Sequence, residues 1–140
     1  MSGIIILDTN VISALTGPIP AGPVPSWFNR LPRSSFRTTA IHEAEIRYGI
    51  ARLPEGRRKR DLTVLTDEFF SSILEPLPFD HKAALRYAEI AARTEQEGCQ
   101  IDVPDIQIAA IAASGGFAIA TRNVDDFKHC GVTVINPWIA

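Results

Sequence analysis

Apolar runs alternate along this chain with segments of helical periodicity. Ile4 to Leu7 is an unbroken apolar run, the pattern of a strand buried on both faces. Asp8 ends it, and Thr9 and Asn10 open a helix carrying Val11, Ile12, Ala14 and Leu15. Gly17 to Pro25 reads as a loop from its glycines and prolines, and Ser26 as the cap of a brief helix holding Trp27, Phe28 and Leu31. Phe36 to Thr38 predicts a short strand, after which Thr39 caps a helix from Ala40 to about Leu53. Pro54 and Gly56 interrupt the chain before a longer helix from Arg57 to Ile73, with Leu62, Leu65, Phe69 and Ile73 at helical spacing. Leu74 to Phe79 reads as a strand entering a turn. Asp80 caps the next helix, whose Ala84, Tyr87, Ala88, Ala91 and Ala92 make a small-residue face, and Gly98 ends it.

Pro104 opens a mostly apolar helix through Ile106, Ile108, Ala109, Ile111 and Ala112. Such a helix is buried on most sides, which makes Asp105 at its start conspicuous. Gly115-Gly116 stops it, Phe117 to Ala120 is another buried strand, Asn123 to Phe127 a turn or one helical turn, and Val132 to Ile135 the last strand. Strands alternating with helices imply an α/β fold with a mostly parallel central sheet.

Composition narrows the class. With 140 residues, 46% hydrophobic and 21% charged, the chain fits one globular domain, residues 1–140. A formal net charge of −2 provides no global attraction to nucleic acid, so any such contact needs a local patch. Cys99 and Cys130 belong to no Cys-x-x-Cys pattern and are expected to be reduced thiols. The N-terminal apolar run is too short, and lacks the basic flank, for a signal peptide; no stretch is long enough to span a membrane. The expected location is the cytoplasm.

Four acids carry the candidate chemistry: Asp8, Glu45, Asp105 and Asp126. Asp8 ends a buried parallel strand, where open α/β sheets bind ligands. Taken alone, it is explained equally well as a helix cap. Asp8 and Asp105 both adjoin strongly apolar stretches, where an unpaired carboxylate is costly to bury. Carboxylates that converge repel one another unless a cation neutralises them, and a hard divalent ion with oxygen ligands does so. Such an ion orients and acidifies a water and stabilises charge on a phosphate, which points to metal-assisted phosphodiester hydrolysis. On the Ala40–Leu53 helix, Glu43 aligns with Ile46, Ile50 and Leu53, whereas Glu45 aligns with Ile41, Tyr48 and Gly49. Periodicity leaves open which of the two faces inward.

Four segments in order carry a resemblance: Leu-Asp8-Thr-Asn-Val-Ile-Ser, Thr39-Ala-Ile-His-Glu-Ala-Glu45-Ile-Arg-Tyr-Gly, Pro104-Asp105-Ile-Gln-Ile-Ala-Ala-Ile-Ala and Ala120-Thr121-Arg-Asn-Val-Asp-Asp126-Phe. Together they resemble a PIN-domain ribonuclease, and more narrowly the VapC toxins of type II toxin–antitoxin modules, in their FitB-like, plasmid-stability group. The closing Val134-Ile-Asn-Pro-Trp138 and the segment from Tyr48 to Lys59 are similar to that group as well. The resemblance implies a three-layer α/β/α sandwich, Mg²⁺ or Mn²⁺ at an acidic pocket, and endonuclease activity on RNA. It also implies a homodimer neutralised by a cognate VapB- or FitA-like antitoxin, with operator DNA bound only through that antitoxin. Asp8 matches the first-strand acid, Glu45 the glutamate before the Tyr-Gly pair, and Asp105 the acid opening the apolar helix. For the fourth acid, some members place it two residues after the threonine matching Thr121, which here is Asn123. Others place it in an Asp-Phe pair, which here is Asp126. Thr121 is expected to hydrogen-bond Asp8 or a water, with Asn10 in a similar role, and Asp125 to be solvated.

Other features read as ordinary. Arg57-Arg58-Lys59-Arg60 is a solvated helix start or a phosphate contact, the first twice as common for so short a run. His42, His81 and His129 have no ligand spacing to one another or to a cysteine and are taken as ordinary histidines. Trp27, Tyr87 and Trp138 are expected in the core or at an interface rather than as base-stacking platforms. Three competing functions remain. A haloacid-dehalogenase-like phosphatase wants a second acid where Asn10 stands, and a phosphoaspartate receiver wants a lysine after a late strand. A catalytically idle module acting with its antitoxin in transcriptional autoregulation leaves the three matched acids without a role.

Overall fold

In the computed structural model, which describes residues 3–17 and 22–140, four short strands form one sheet in the order β2-β1-β3-β4. The strands are β1 (Ile5–Leu7), β2 (Phe36–Arg37), β3 (Ala118–Ala120) and β4 (Val134–Ile135). Every neighbouring pair is parallel, with Ile5 opposite both Phe36 and Ala118, and Ile119 opposite Val134. Parallel strands need crossovers, and the helices α1 (Thr9–Thr16), α2 (Val24–Asn29), α3 (Ala40–Ala51), α4 (Arg57–Ser72), α5 (His81–Gln96) and α6 (Val103–Gly115) supply most of them.

Side-chain alternation along β1 divides the core into two layers. Ile6 and Ile119 pack with α5 and α6, through Ala83, Ile90, Ile108, Ala109 and Ile111. Ile5, Leu7 and Ala120 pack on the other face with Val11, Ile12, Trp27, Phe28 and Phe69 from α1, α2 and α4. A strand covered on both faces needs apolar residues at every position, which is why Ile4–Leu7 shows no alternation. The expected three-layer α/β/α arrangement with a parallel sheet is therefore present. The chain leaves β1 toward β2 and later crosses back to β3. The strand order thus reverses between β1 and β3, and their carboxyl ends form the crevice at this switch point.

Several elements differ from expectation. Helix α2 begins at Val24 rather than after Ser26, with Pro25 in its first turn, and Leu31 lies beyond its end. Residues 18–21 of the expected loop lie outside the described residues. Leu74–Phe79 is not a strand: its pairing is a single bridge between Leu77 and Thr39, because Pro76 and Pro78 flank Leu77 and have no N–H to donate. The buried face of α5 is Ala83, Ile90 and Thr94, with Tyr87 and Ala91 partly buried, while Ala84, Ala88 and Ala92 face solvent. Tyr87 and Ala91 of the expected face do turn inward, and Ala83, Ile90 and Thr94 complete it at helical spacing.

Caps at Thr39 and Asp80 are as expected, each side chain accepting the N–H three residues on. Gly116 ends α6 with φ +69°. Just before it, a Cβ on Gly115 would run into the Phe117 ring. Gly115→Ala is therefore expected to destabilise the fold by about 1–3 kcal/mol through overpacking, read as a lower urea midpoint with unchanged slope.

Candidate metal centre

The crevice at the switch point is built around Asp8. Its position is the N-cap of α1, yet its side chain makes no cap hydrogen bond. Instead Oδ1 accepts from His42 Nε2 at 2.7 Å and Oδ2 accepts from the Thr121 hydroxyl at 2.7 Å. The helix-cap explanation of Asp8 therefore fails: its carboxylate is held into the crevice from α3 on one side and from the end of β3 on the other. Asp8 is only 8% exposed. Burial alone would raise its pKa, but the His42 hydrogen bond and electrostatic attraction, with hydrogen bonds from Thr121 and the Thr9 N–H, hold it below the usual carboxylate value.

Thr121 is itself fixed. Its oxygen accepts from Asn10 Nδ2 at 3.2 Å and from the Asn123 N–H at 3.0 Å, while Asn10 Oδ1 accepts the Arg122 N–H at 3.1 Å. Asn10 thus braces Thr121 rather than Asp8, tying the start of α1 to the corner after β3.

His42 is the residue that sequence reasoning missed. Taken as ordinary, it is fully buried and held at both ring nitrogens, with Nδ1 2.8 Å from the Thr39 hydroxyl. Thr39 Oγ also caps α3 by accepting the His42 N–H at 3.1 Å. One signal pointed inward: His42 falls one helical turn before Ile46, which packs in the core. No ligand spacing was needed, because the partner of His42 is a carboxylate distant in sequence.

The other three acids converge on the same crevice electrostatically. Asp105, in the first turn of α6, has a pKa pushed up to about 6, by burial first and then by Asp126, Asp8, Asp102 and Glu45. Glu45 is raised too, by desolvation of its carboxyl group; the nearby His42 pulls it down and Asp8 pushes it up. Glu43 points elsewhere: Arg47 bridges it at 2.9 Å to Asp67 of α4, also at 2.9 Å. So Glu45 shares the crevice with Asp8, and Glu43 is neutralised on the α4 side. Asp126 lies in the one-turn helix Val124–Asp126 and lines a cavity of about 320 Å³ together with Asp105, Asp102 and Asp125. Asp125 is exposed and lies 3.4 Å from Lys128. Asn123 contributes its backbone N–H to Thr121.

Asp8, Glu45 and Asp126 therefore all act electrostatically on Asp105, and Asp8 on Glu45, at the carboxyl end of the sheet. Their donor set is carboxylate oxygen only, the chemistry of a hard divalent ion. The Asp8 carboxylate accepts from His42, Thr121 and the Thr9 N–H, which leaves one of its roughly four lone-pair sites for an ion.

Away from the crevice the outcomes are plainer. Cys99 and Cys130 are free thiols, the second buried. In the basic run, Lys59 pairs with Glu55 at 2.7 Å and Arg57 with Asp61 at 3.8 Å, a largely solvated helix start. Trp27 is buried against Phe36, and Trp138 is partly buried with Arg122 stacked 4.8 Å over its ring. Among the described residues no helix is long and apolar enough to cross a membrane.

Known proteins resemble this chain along nearly its whole length. VapC ribonuclease Y4jK of Sinorhizobium fredii is 36% identical over 139 residues, spanning 96% of this chain and 97% of that protein. Toxin FitB of Neisseria gonorrhoeae is 37% identical over 139 residues, spanning 96% and 98%. The solved structure of FitAB bound to an IR36 DNA fragment superposes with a TM-score of 0.89 at 35% identity, covering 96% of each chain. The PIN domain matches residues 5–132, which hold all four acids and three of the four parallel strands, and the chain belongs to the PIN-domain family.

Proposed function

We propose that this chain is an endoribonuclease that acts as the toxin of a type II toxin–antitoxin module, hydrolysing RNA phosphodiester bonds at a Mg²⁺ or Mn²⁺ ion. The observation that carries the reading is Asp105: a carboxyl group pushed up to about 6 by burial and by Asp126, Asp8, Asp102 and Glu45 is one that a cation would relieve. Asp8 and Asp105 would hold the ion directly, while Glu45 and Asp126 would position it and the attacking water. When bound, the ion lowers the pKa of that water and offsets charge developing on the phosphate.

The chain's own residues prepare this site before any ion arrives. His42 and Thr121 keep Asp8 ionised and in one rotamer. Asn10 and Thr121 join α1 to the corner that leads to Asp126, so acids from opposite ends of the sequence are held in register. Asn10 is engaged at both ends of its amide, which disfavours a phosphatase that needs an acid at that position.

The names of the relatives, a VapC ribonuclease and the toxin FitB, support RNA as substrate and a toxin role. The FitAB complex on DNA supports a VapB- or FitA-like antitoxin as partner, with operator DNA reached through the complex. A homodimer in the cytoplasm completes the proposal.

The test is cleavage of a mixed single-stranded RNA by the purified chain, freed of antitoxin, with Mg²⁺, with Mn²⁺ and with chelator. Cleavage that needs metal and is absent in Asp8→Asn is the expected result. Equal cleavage in chelator, or by the variant, would refute the metal centre.

A further inference from the structure

A second donor cluster lies beside the acids. Glu97, Cys99 and His129 bring a carboxylate oxygen, a thiol sulfur and an imidazole nitrogen within 4.8 Å of one another. Cys99 and His129 line the same cavity of about 320 Å³ whose wall carries Asp105 and Asp126.

Two segments supply these donors, and hydrogen bonds to their backbone hold both without using the donor atoms. At the end of α5, Gly98 turns the chain with φ +75°, and the Cys99 N–H donates to Thr94 O at 2.9 Å. His129 follows the turn that bears Asp126, and Arg93 of α5 donates to its carbonyl at 3.2 Å. The Cys99 thiol makes only a long contact, 4.0 Å, to the Glu97 carbonyl. Lys128 lines the cavity as well, but its charge is offset by Asp125 at 3.4 Å.

The mixture of sulfur, nitrogen and oxygen differs in kind from the oxygen-only acids. Thiolate and imidazole favour a borderline-soft ion, whereas carboxylates alone favour Mg²⁺ or Mn²⁺. We propose that Glu97, Cys99 and His129 form a second cation site for Zn²⁺ or a similar transition metal, with water in the open position. Bonds of about 2.0–2.3 Å place tetrahedral ligands roughly 3.3–3.8 Å apart, so the ion draws the three atoms together by about 1 Å. Glu97 and His129 are exposed and free to make that adjustment. Binding ionises the thiol and releases its proton. The ion clamps the α5–α6 connection to the segment following Asp126, stiffening one wall of the crevice. The site stands whether or not the chain cleaves RNA.

Co²⁺ titration of the full chain separates the two kinds of site, because thiolate-to-cobalt charge-transfer absorption requires a sulfur ligand. The expected result is a near-ultraviolet band that saturates, persists in Asp8→Asn, and is displaced by Zn²⁺. Cys99→Ser, at a half-buried position, abolishes the band. His129→Ala weakens Co²⁺ binding by at least the roughly 10–100-fold that loss of even an outer-shell partner costs. No band in the unaltered chain at excess Co²⁺ would overturn the proposal, as would a band that survives Cys99→Ser. Failure of RNA cleavage, by contrast, leaves it untouched.

Discussion

Asp105→Asn raises the melting temperature of the metal-free protein near neutral pH and abolishes RNA cleavage; Asp8→Asn abolishes cleavage and lowers the melting temperature. The two acids have opposite signs because their surroundings shift them in opposite directions. Asp105 titrates near 6 in the fold against an ordinary 3.8. Between those values the folded chain keeps a proton that the unfolded chain has released, so stability falls as pH rises from about 4 to about 6 and stays low above. Asparagine removes that penalty. Discounted for partial exposure, the gain is on the order of 1 kcal/mol, about 3 °C in melting temperature, at pH 7.5. It vanishes near pH 4, where the carboxyl is neutral in both states.

Asp8 is lowered instead, so its charge-assisted bonds stabilise the fold above the unfolded value of 3.8 and are lost as pH falls through the lower folded value. Asparagine at position 8 turns one acceptor into a donor facing the Thr121 hydroxyl, whose oxygen already accepts from Asn10 and from the Asn123 N–H. That mismatch costs about 1–3 kcal/mol. Loss of either acid is expected to reduce cleavage by at least about 10²–10³-fold, as for other preorganised electrostatic groups. Thermal scans in chelator at pH 7.5 and pH 4, paired with cleavage assays, decide the matter. Equal melting temperatures for Asp105→Asn and the parent at pH 7.5 would mean that the acids do not crowd Asp105.

His42→Phe is expected to cost more stability than either, about 3–5 kcal/mol, because it strips the partner from a buried carboxylate. Phenylalanine fills much of the space but offers Asp8 Oδ1 no donor and leaves the Thr39 hydroxyl without Nδ1. Without its largest favourable partner, Asp8 moves up in pKa, so the acidic limb of the cleavage profile shifts to higher pH. His42→Gln keeps an N–H for Asp8 and should recover part of both losses. A purely structural role for His42 predicts lower stability in His42→Phe with an unmoved pH profile. Urea unfolding and the pH dependence of single-turnover cleavage distinguish the two.

The sequence by itself determined most of the strands and helices, the expected strand at Leu74–Phe79 excepted, because buried parallel strands and core-facing helices impose periods that survive in one dimension. The run Ile4–Leu7, the caps at Thr39 and Asp80, the apolar α6 and its stop at Gly116 are all legible that way. The order of motifs also singled out Asp8, Glu45, Asp105 and Asp126, and the expected bond from Thr121 to Asp8 is present at 2.7 Å.

Only the tertiary structure decided what each polar side chain touches. Periodicity could not separate Glu43 from Glu45; the separation comes from Arg47, which neutralises Glu43 with the help of Asp67 on the next helix. A helix cap and a site carboxylate look alike at position 8 in sequence, and they differ through His42 and Thr121, 34 and 113 residues away. The proximity of Glu97, Cys99 and His129 follows from the packing of α5 against the turn after β3, not from any spacing between them. Periodicity is a local consequence of backbone geometry and burial. Hydrogen-bond partners and converging charges depend on chain crossovers, and the crossover between β1 and β3 is what made one crevice of four acids spread across the sequence.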